Sequence, residues 1–228
     1  MRTAAKLMIG ATVALVASAA VASGSINTVV GWNGSSSEGP FGDPDTGTFG
    51  QSITMDASGG RLQSFSFYLT PLNLNIRSYV YEWDGSKAVG AALFSGAMFN
   101  IGAAGSGFKE VAINTGGIDL APNKQYVLLL TSSGMQSGLG NTNNWGVLRS
   151  NAYAGGEFVF HNSSNTLASL QSDWDCGDGC GFAGTGFDLA FKAQIDPVAV
   201  IPEPEAAAMM LFGLAAVGVA ARRRKSNS

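Results

Sequence analysis

Residues 61–70, RLQSFSFYLT, decide the fold class, because apolar side chains recur there at every second position. Successive side chains of a strand point to opposite sides of the sheet. The alternation predicts a strand with Leu62, Ser64, Ser66 and Tyr68 on one face and Gln63, Phe65, Phe67 and Leu69 on the other. We therefore expect Phe65, Phe67 and Leu69 to face one side together.

Other segments follow a strand pattern and are bounded by Gly, Asn, Ser or Pro. They are 27–33, 47–56, 75–83, 88–94, 108–114, 125–131, 144–150, 157–162 and 187–195. No window shows a sustained helical period, and no repeat of fixed length divides the chain. The pattern predicts an all-β fold, a single antiparallel jelly-roll-like β-sandwich over residues 23–200. We expect an N-terminal signal helix and a C-terminal transmembrane helix on either side of it.

Composition and charge exclude one class of partner. The chain has 228 residues, of which 46% are hydrophobic and 13% are charged. Residues 23–201 hold seven basic and fourteen acidic side chains, a net charge of −7. Because an acidic body without a basic run cannot neutralise phosphates, we expect no nucleic-acid partner.

The first 22 residues, MRTAAKLMIGATVALVASAAVA, have the three parts of a secretory signal peptide. Arg2 and Lys6 supply a basic start, an apolar run follows, and small residues end at Ala22. We expect a signal peptidase to cleave before Ser23 and the mature chain to be exported. The alternative is that the segment stays uncleaved and serves as an N-terminal membrane anchor.

The last segment, residues 201–228, combines a short motif, an apolar run and a basic cluster. Pro202, Glu203 and Pro204 precede the apolar residues 206–221, and the basic tail 222–225 contains Arg222, Arg223, Arg224 and Lys225. Sixteen residues in a helix cover ~24 Å, a plausible membrane span when basic ends reach the interface. Four cations favour the cytoplasmic side, which leaves the body beyond the membrane.

This order of elements resembles the PEP-CTERM protein-sorting signal of Gram-negative bacteria. The resemblance implies that an exosortase recognises Pro202, Glu203 and Pro204 and processes the chain there, so that the tail is a temporary tether. The alternative is a permanent single-span anchor. The body is similar, in stretches such as TFGQSITM, LQSFSFYL and DLAFKAQI, to a domain of many PEP-CTERM proteins that has no known activity. The resemblance implies a sandwich fold and a bacterium that makes exopolysaccharide.

Cys176 and Cys180 are the two cysteines of the chain. An even pair with three residues between its members, in an oxidising compartment, favours a small disulfide loop. Two thiols do not make a zinc site, which needs four ligands.

Two Gly-rich segments contain acidic residues that are candidate calcium ligands. The residues are Asp173, Asp175 and Asp178 around the cysteines, and Asp43 and Asp45 in FGDPDTG. Carboxylates are ligands that calcium accepts, but neither segment has the EF-hand spacing. We expect solvated acidic loops and no cofactor, with a weak calcium site as the alternative.

The residues available for catalysis are few. His161 is the single histidine of the chain, and Ser163 and Ser164 follow it closely. Since serine is frequent in this sequence, the adjacency says little about a nucleophile and its base. We expect that the protein is not an enzyme, and a secreted hydrolase is the least favoured hypothesis.

Aromatic residues offer a second class of function, carbohydrate binding. Trp145 beside Asn144, and Trp174 beside Asp173 and Asp175, lie in polar, loop-like surroundings. Indole faces stack on sugar rings while amides and carboxylates accept their hydroxyl hydrogen bonds. The alternative is that both indoles are buried in the core. The first interpretation is a non-enzymatic surface or extracellular-matrix protein that contacts exopolysaccharide. A carbohydrate-binding module, with or without calcium, is the second.

Overall fold

The computed structural model describes most of the body. The described residues are 24–42, 46–71, 73–102, 105–135, 142–162, 167–172, 174, 186–198 and 213. The expected signal peptide 1–22, the motif 202–204 and the basic tail 222–225 lie outside them, as does the expected span 206–221 apart from one residue. Within the described residues, no helix has the length and apolar composition needed to cross a membrane.

The described residues of the body form thirteen strands. They are β1 (Ile26–Asn27), β2 (Ser37–Phe41), β3 (Thr48–Thr54), β4 (Gly60–Leu69), β5 (Asn75–Trp83), β6 (Ala88–Ser95), β7 (Phe99–Asn100), β8 (Lys109–Leu120), β9 (Gln125–Thr131), β10 (Asn143–Leu148), β11 (Phe158–His161), β12 (Asp188–Leu189) and β13 (Phe191–Asp196). Two 3-10 turns, Val29–Gly31 and Leu167–Gln171, complete the regular structure of the described residues.

The strands are arranged in two sheets whose paired strands are antiparallel. Sheet 1 has the order β1-β13-β4-β10-β12, with β8 also paired to β4 and β2 to β10. Sheet 2 has the order β11-β3-β9-β5-β6, with β7 also paired to β5. The all-β prediction is confirmed at this level.

The main core lies between the two sheets. Phe65 and Phe67 of sheet 1, and Phe49 of sheet 2, belong to one buried cluster. The Trp145 ring lies 5.3 Å from the Phe49 ring, centroid to centroid, which joins the sheets. Burying such large side chains supplies most of the free energy that holds two sheets face to face.

A second, smaller cluster covers the outer face of sheet 2. Tyr79, Tyr81 and Trp83 of β5 point away from the main core and pack with Leu170 and Trp174. Both faces of β5 are therefore buried, although its sequence alone does not say which face is the core.

Most predicted strands are confirmed, and the 75–83 and 125–131 boundaries agree with β5 and β9. The predicted strand 27–33 is wrong beyond Asn27, because the chain turns at Val29–Gly31. The predicted strand 187–195 is two strands, separated at Ala190. The short strands β2 and β7 were not predicted.

The prediction for Leu62 is also wrong. Its side chain is fully buried with Phe65 and Phe67, although strict alternation places it with Ser64. In the pairing of β4 with β13, Leu62 and Ser64 lie opposite the consecutive residues Ile195 and Gln194, so β4 has one extra residue there and its faces reverse at that point. The Thr115 hydroxyl stabilises the irregularity by donating to the carbonyl oxygens of Leu62 and Gln63.

Candidate functional site

The outer face of sheet 1 carries polar side chains on three adjacent strands, β13, β4 and β8. Cross-strand pairing aligns them in two rows, Lys192–Ser66–Ala112 and Gln194–Ser64–Asn114. The alternate positions of the same strands, such as Phe65 and Phe67, fill the core. The alternation of RLQSFSFYLT thus creates the core and this polar face together.

Glu110 lies at one end of this face and binds three neighbours. Its carboxylate accepts hydrogen bonds from the Ser66 hydroxyl at 2.7 Å and from the Tyr68 hydroxyl at 2.9 Å. The Lys192 ammonium lies 3.0 Å from the Glu110 carboxylate and 5.4 Å from the centre of the Tyr68 ring. The charges of Glu110 and Lys192 cancel, so the cluster has no net charge.

The same contacts perturb both charged groups of the cluster. Burial alone would raise the pKa of Glu110, but the bonds from Ser66, Lys192 and Tyr68 hold it below its ordinary value. Tyr68 and Glu110 raise the pKa of Lys192. Both groups therefore stay charged across the neutral range.

Three half-buried aromatic rings continue the face beyond Glu110. The Trp32 ring lies 5.5 Å from the Tyr68 ring and 4.9 Å from the Phe108 ring. The Trp32 indole N–H donates to the carbonyl oxygen of Ser36 at 2.8 Å, which fixes the orientation of the ring. The ring also packs over Gly146, where a larger residue would overlap it.

A groove of about 280 Å³ lies along this face. Ser64, Ser66 and Ala112 contribute to it, and Lys192, Gln194 and Glu110 stand beside them. Asn27 and its neighbours in β1 close one side. The groove combines hydroxyl and amide groups with the paired charges of Glu110 and Lys192, which suits a polar, uncharged ligand.

The two tryptophans predicted to bind carbohydrate do not lie at this groove. Trp145 is 1% exposed and packs among Phe41, Phe49 and Phe67, with ring centroids 5.0, 5.3 and 5.0 Å away. Trp174 is 4% exposed, and its indole N–H donates to the carbonyl oxygen of Leu170 at 3.0 Å. Of the two alternatives for these indoles, the structure shows the buried one, and neither offers a face to a sugar.

Asn144 is exposed at the surface, whereas its neighbour Trp145 is buried. Its backbone exchanges hydrogen bonds with Thr70, whose N–H donates to the Asn144 carbonyl at 2.9 Å. The residue therefore anchors β10 to the end of β4. Sequence analysis did not select Trp32, which lies within the predicted strand 27–33 and directly follows the 3-10 turn Val29–Gly31 of the structure.

His161 is 5% exposed, and its Nε2 atom lies 3.3 Å from the Ser172 hydroxyl oxygen. The Ser172 hydroxyl donates its single proton to the carbonyl oxygen of Ser169 at 2.6 Å. Because that proton is already committed, the imidazole donates to Ser172 and does not withdraw its proton. This is the reverse of the arrangement that activates a serine nucleophile. Ser163 and Ser164 lie outside the described residues.

Asp188 is a buried carboxylate that sequence analysis did not identify. Its oxygens accept hydrogen bonds at 2.8 Å from the Gln51 amide and from the backbone N–H groups of Ala152 and Tyr153. Burial raises the pKa of Asp188, and these hydrogen bonds oppose the increase. The group joins β12, β3 and the chain before β11, so its role is structural.

Several predicted sites lie outside the described residues. They are Cys176, Cys180, Asp43, Asp45, Asp173, Asp175 and Asp178. The disulfide and the calcium alternative therefore stay predictions. Among the residues that the structure describes, no group of three or more His, Cys, Asp or Glu side chains could hold a metal ion.

Comparison with known proteins assigns the C-terminal tail. Residues 200–225 match the family model of the PEP-CTERM protein-sorting motif. The chain carries a PEP-CTERM sorting signal. No curated protein and no solved structure matches the chain. The PEP-CTERM signal implies export through exosortase-type sorting, with processing at the membrane and then a surface location.

Proposed function

We propose that the protein is an exported, non-enzymatic cell-surface or extracellular-matrix protein. Its jelly-roll-like body acts outside the cell after the PEP-CTERM tail has been processed. The observation that carries this proposal is the match of residues 200–225 to the sorting-motif family. The match contains Pro202–Glu203–Pro204, the apolar run 206–221 and the arginines that follow it.

The order of these parts gives each a physical role. The apolar run inserts in the inner membrane as a helix, and the basic tail holds its end on the cytoplasmic side. Proline fixes its own backbone and restrains the preceding residue, so Pro202 and Pro204 keep the chain extended around Glu203. An extended segment just outside the membrane is a form that a protease such as exosortase binds. Signal peptidase removes residues 1–22 at the other end.

The test is a variant that loses the motif and keeps the membrane span. In Pro202→Ala/Glu203→Ala/Pro204→Ala the exosortase no longer recognises the tail, so we expect the chain to accumulate in the inner membrane. Cell fractionation and immunoblotting measure its location, and the size of the chain shows whether it was processed.

A matched control changes three residues of the body surface, Asp84, Asp119 and Asp196, to Ala. We expect this control to reach the surface or medium as the wild type does, because it leaves residues 200–225 intact. Normal release of the motif variant would contradict the proposal.

The non-enzymatic part of the proposal has support in the described residues. The contact of His161 with Ser172 has a hydrogen-bond direction opposite to that of a general base. Asp188, a buried carboxylate, is occupied by three N–H donors. Neither group lines the groove on sheet 1.

A second candidate function is a carbohydrate-binding module. Trp145 and Trp174 do not support it, because both are buried. The observation that favours it is the groove on the outer face of sheet 1, with Trp32 and Tyr68 beyond the Lys192–Glu110 pair at its end. A calcium-assisted form depends on Asp173, Asp175 and Asp178.

A further inference from the structure

We propose that the groove on the outer face of sheet 1 binds a segment of an uncharged polysaccharide. This inference rests on the second candidate function and names its site and ligand class. It is independent of the route of export, since binding is measured on purified protein.

The shape of the groove follows from the side-chain sizes on three strands. The middle strand, β4, presents the short side chains of Ser64 and Ser66. Its neighbour β13 presents the longer Lys192 and Gln194 directly opposite them. Long side chains beside short ones leave a channel of about 280 Å³ over Ser64 and Ser66. The Lys192–Glu110 ion pair reaches across β4 and closes this channel at the Tyr68 end, so the channel holds a short segment of a polymer.

The hydrogen-bonding groups of the channel match sugar hydroxyls. The Ser64 hydroxyl both donates and accepts. The Asn27 amide oxygen accepts from the Val29 N–H, so its NH₂ group faces the ligand, and the Gln194 amide donates to Asp196, so its carbonyl oxygen does. A sugar hydroxyl has the same dual capacity. The carboxylate of Glu110 is held by Ser66, Tyr68 and Lys192 and therefore keeps one orientation without needing a ligand cation.

Charge selects against acidic polymers. The Lys192 ammonium is paired with Glu110 at 3.0 Å and offers no uncompensated positive charge to a polyanion. The body as a whole has seven basic against fourteen acidic residues between 23 and 201. Since like charges repel across a surface, a uronic-acid polymer is disfavoured and a neutral one is not.

The aromatic cluster lies beyond the Lys192–Glu110 pair, outside the residues that line the channel. Tyr68 pairs with Glu110 across β4 and β8, and Trp32 and Phe108 lie beyond it. Apolar ring atoms there contact the C–H surface of a sugar, as aromatic residues do in carbohydrate sites. Trp32 is held in place by Ser36 and needs little ordering on binding.

The experiment is affinity gel electrophoresis of the full chain in detergent. The gels contain dextran, galactomannan or hydroxyethyl cellulose as neutral probes, and alginate as the acidic probe. We expect at least one neutral polymer to retard the protein and alginate not to. Ala112→Trp and Ser64→Tyr place a large side chain in the channel from two different strands, and each should weaken the retardation about tenfold.

The matched control is Ala91→Trp, which adds the same side chain at an exposed position of β6 in sheet 2. It should be retarded like the wild type. Melting curves verify that each variant is folded. On the wild type alone, amide shifts in a titration with an oligosaccharide of the retarding polymer should concentrate at residues 64–68, 110–112 and 192–194.

Three results would overturn the inference. They are no retardation by any neutral polymer, retardation of folded groove variants equal to the wild type, and amide shifts confined to another face. Each leaves the export proposal intact, because the motif variant is tested by cell fractionation. Failure of the motif variant would in turn leave the binding result unaffected.

Discussion

A single buried carboxylate, Asp188, holds three parts of the body together. Its side chain is fully buried and accepts from Gln51, Ala152 and Tyr153. The side-chain amide of Gln51 cannot flip without losing a hydrogen bond, because its oxygen accepts from the Leu189 N–H at 2.9 Å. Both carboxylate oxygens of Asp188 are therefore needed as hydrogen-bond acceptors.

We predict that Asp188→Asn lowers the free energy of unfolding by about 1–3 kcal/mol. The new NH₂ group must face either the Gln51 amide N–H or the two backbone N–H groups, which leaves buried donors without acceptors. Denaturant unfolding measures the change. The control is Asp119→Asn, whose side chain is 70% exposed; its effect should stay within about 0.5 kcal/mol. Equal effects of the two variants would contradict the assigned role of Asp188.

At the scale of elements, close backbone contact joins β3 to the chain that enters β11. The Ser52 N–H donates to the Glu157 carbonyl oxygen, and the Glu157 N–H donates to the Ser52 hydroxyl, both at 2.9 Å. Gly156 allows this approach, because a Cβ atom there would overlap the carbonyl oxygen of Ser52. The absence of a side chain thus determines where β11 joins sheet 2.

We predict that Gly156→Ala destabilises the protein by about 3 kcal/mol, the upper part of the range for overpacking. Thermal and denaturant unfolding measure the loss. Gly34→Ala is the matched control, since Gly34 has φ +76° but no atom near its Cβ position. Its cost should be about 1 kcal/mol from backbone strain alone. A Gly156→Ala protein as stable as the control would show that β11 shifts without cost.

Strand positions were predictable from sequence where side chains alternate or form an apolar run bounded by turn residues. β5 and β9 satisfied this condition at both ends, and their boundaries were predicted. β2, with the sequence SEGPF, has no alternation and is a strand because β10 lies beside it. Pairing of this kind depends on distant residues, which a local pattern does not describe.

At the scale of the whole molecule, the surface composition of the body fits the export of the chain. The acidic, strand-rich body belongs to a chain that carries a PEP-CTERM export signal. Polar but mostly uncharged side chains cover the outer face of sheet 1, with Glu110 and Lys192 paired. Such a surface suits contact with hydrated, neutral polymers more than with nucleic acid.

We predict that calcium does not change the thermal stability of the whole protein. The candidate ligands Asp173, Asp175 and Asp178 lie in a Gly-rich stretch of the sequence without EF-hand spacing. A site occupied at about 100 times its Kd would add ~2.7 kcal/mol and raise the melting midpoint by several degrees. Scanning calorimetry in excess calcium and in chelator measures this shift. A clear increase with calcium would contradict the prediction and favour the calcium-assisted alternative.

The sequence by itself determined the all-β class and the sorting tail. Both follow from local order along the chain: alternation at every second residue, and three short segments in a fixed succession. The tertiary structure decided which tryptophans are buried, where Leu62 points and which face holds a groove. These depend on pairing register and on contacts between residues far apart in the chain. Trp145 and Trp32 illustrate the difference, since both have polar neighbours in sequence, but Trp145 lies between the sheets and Trp32 lies on the outer face.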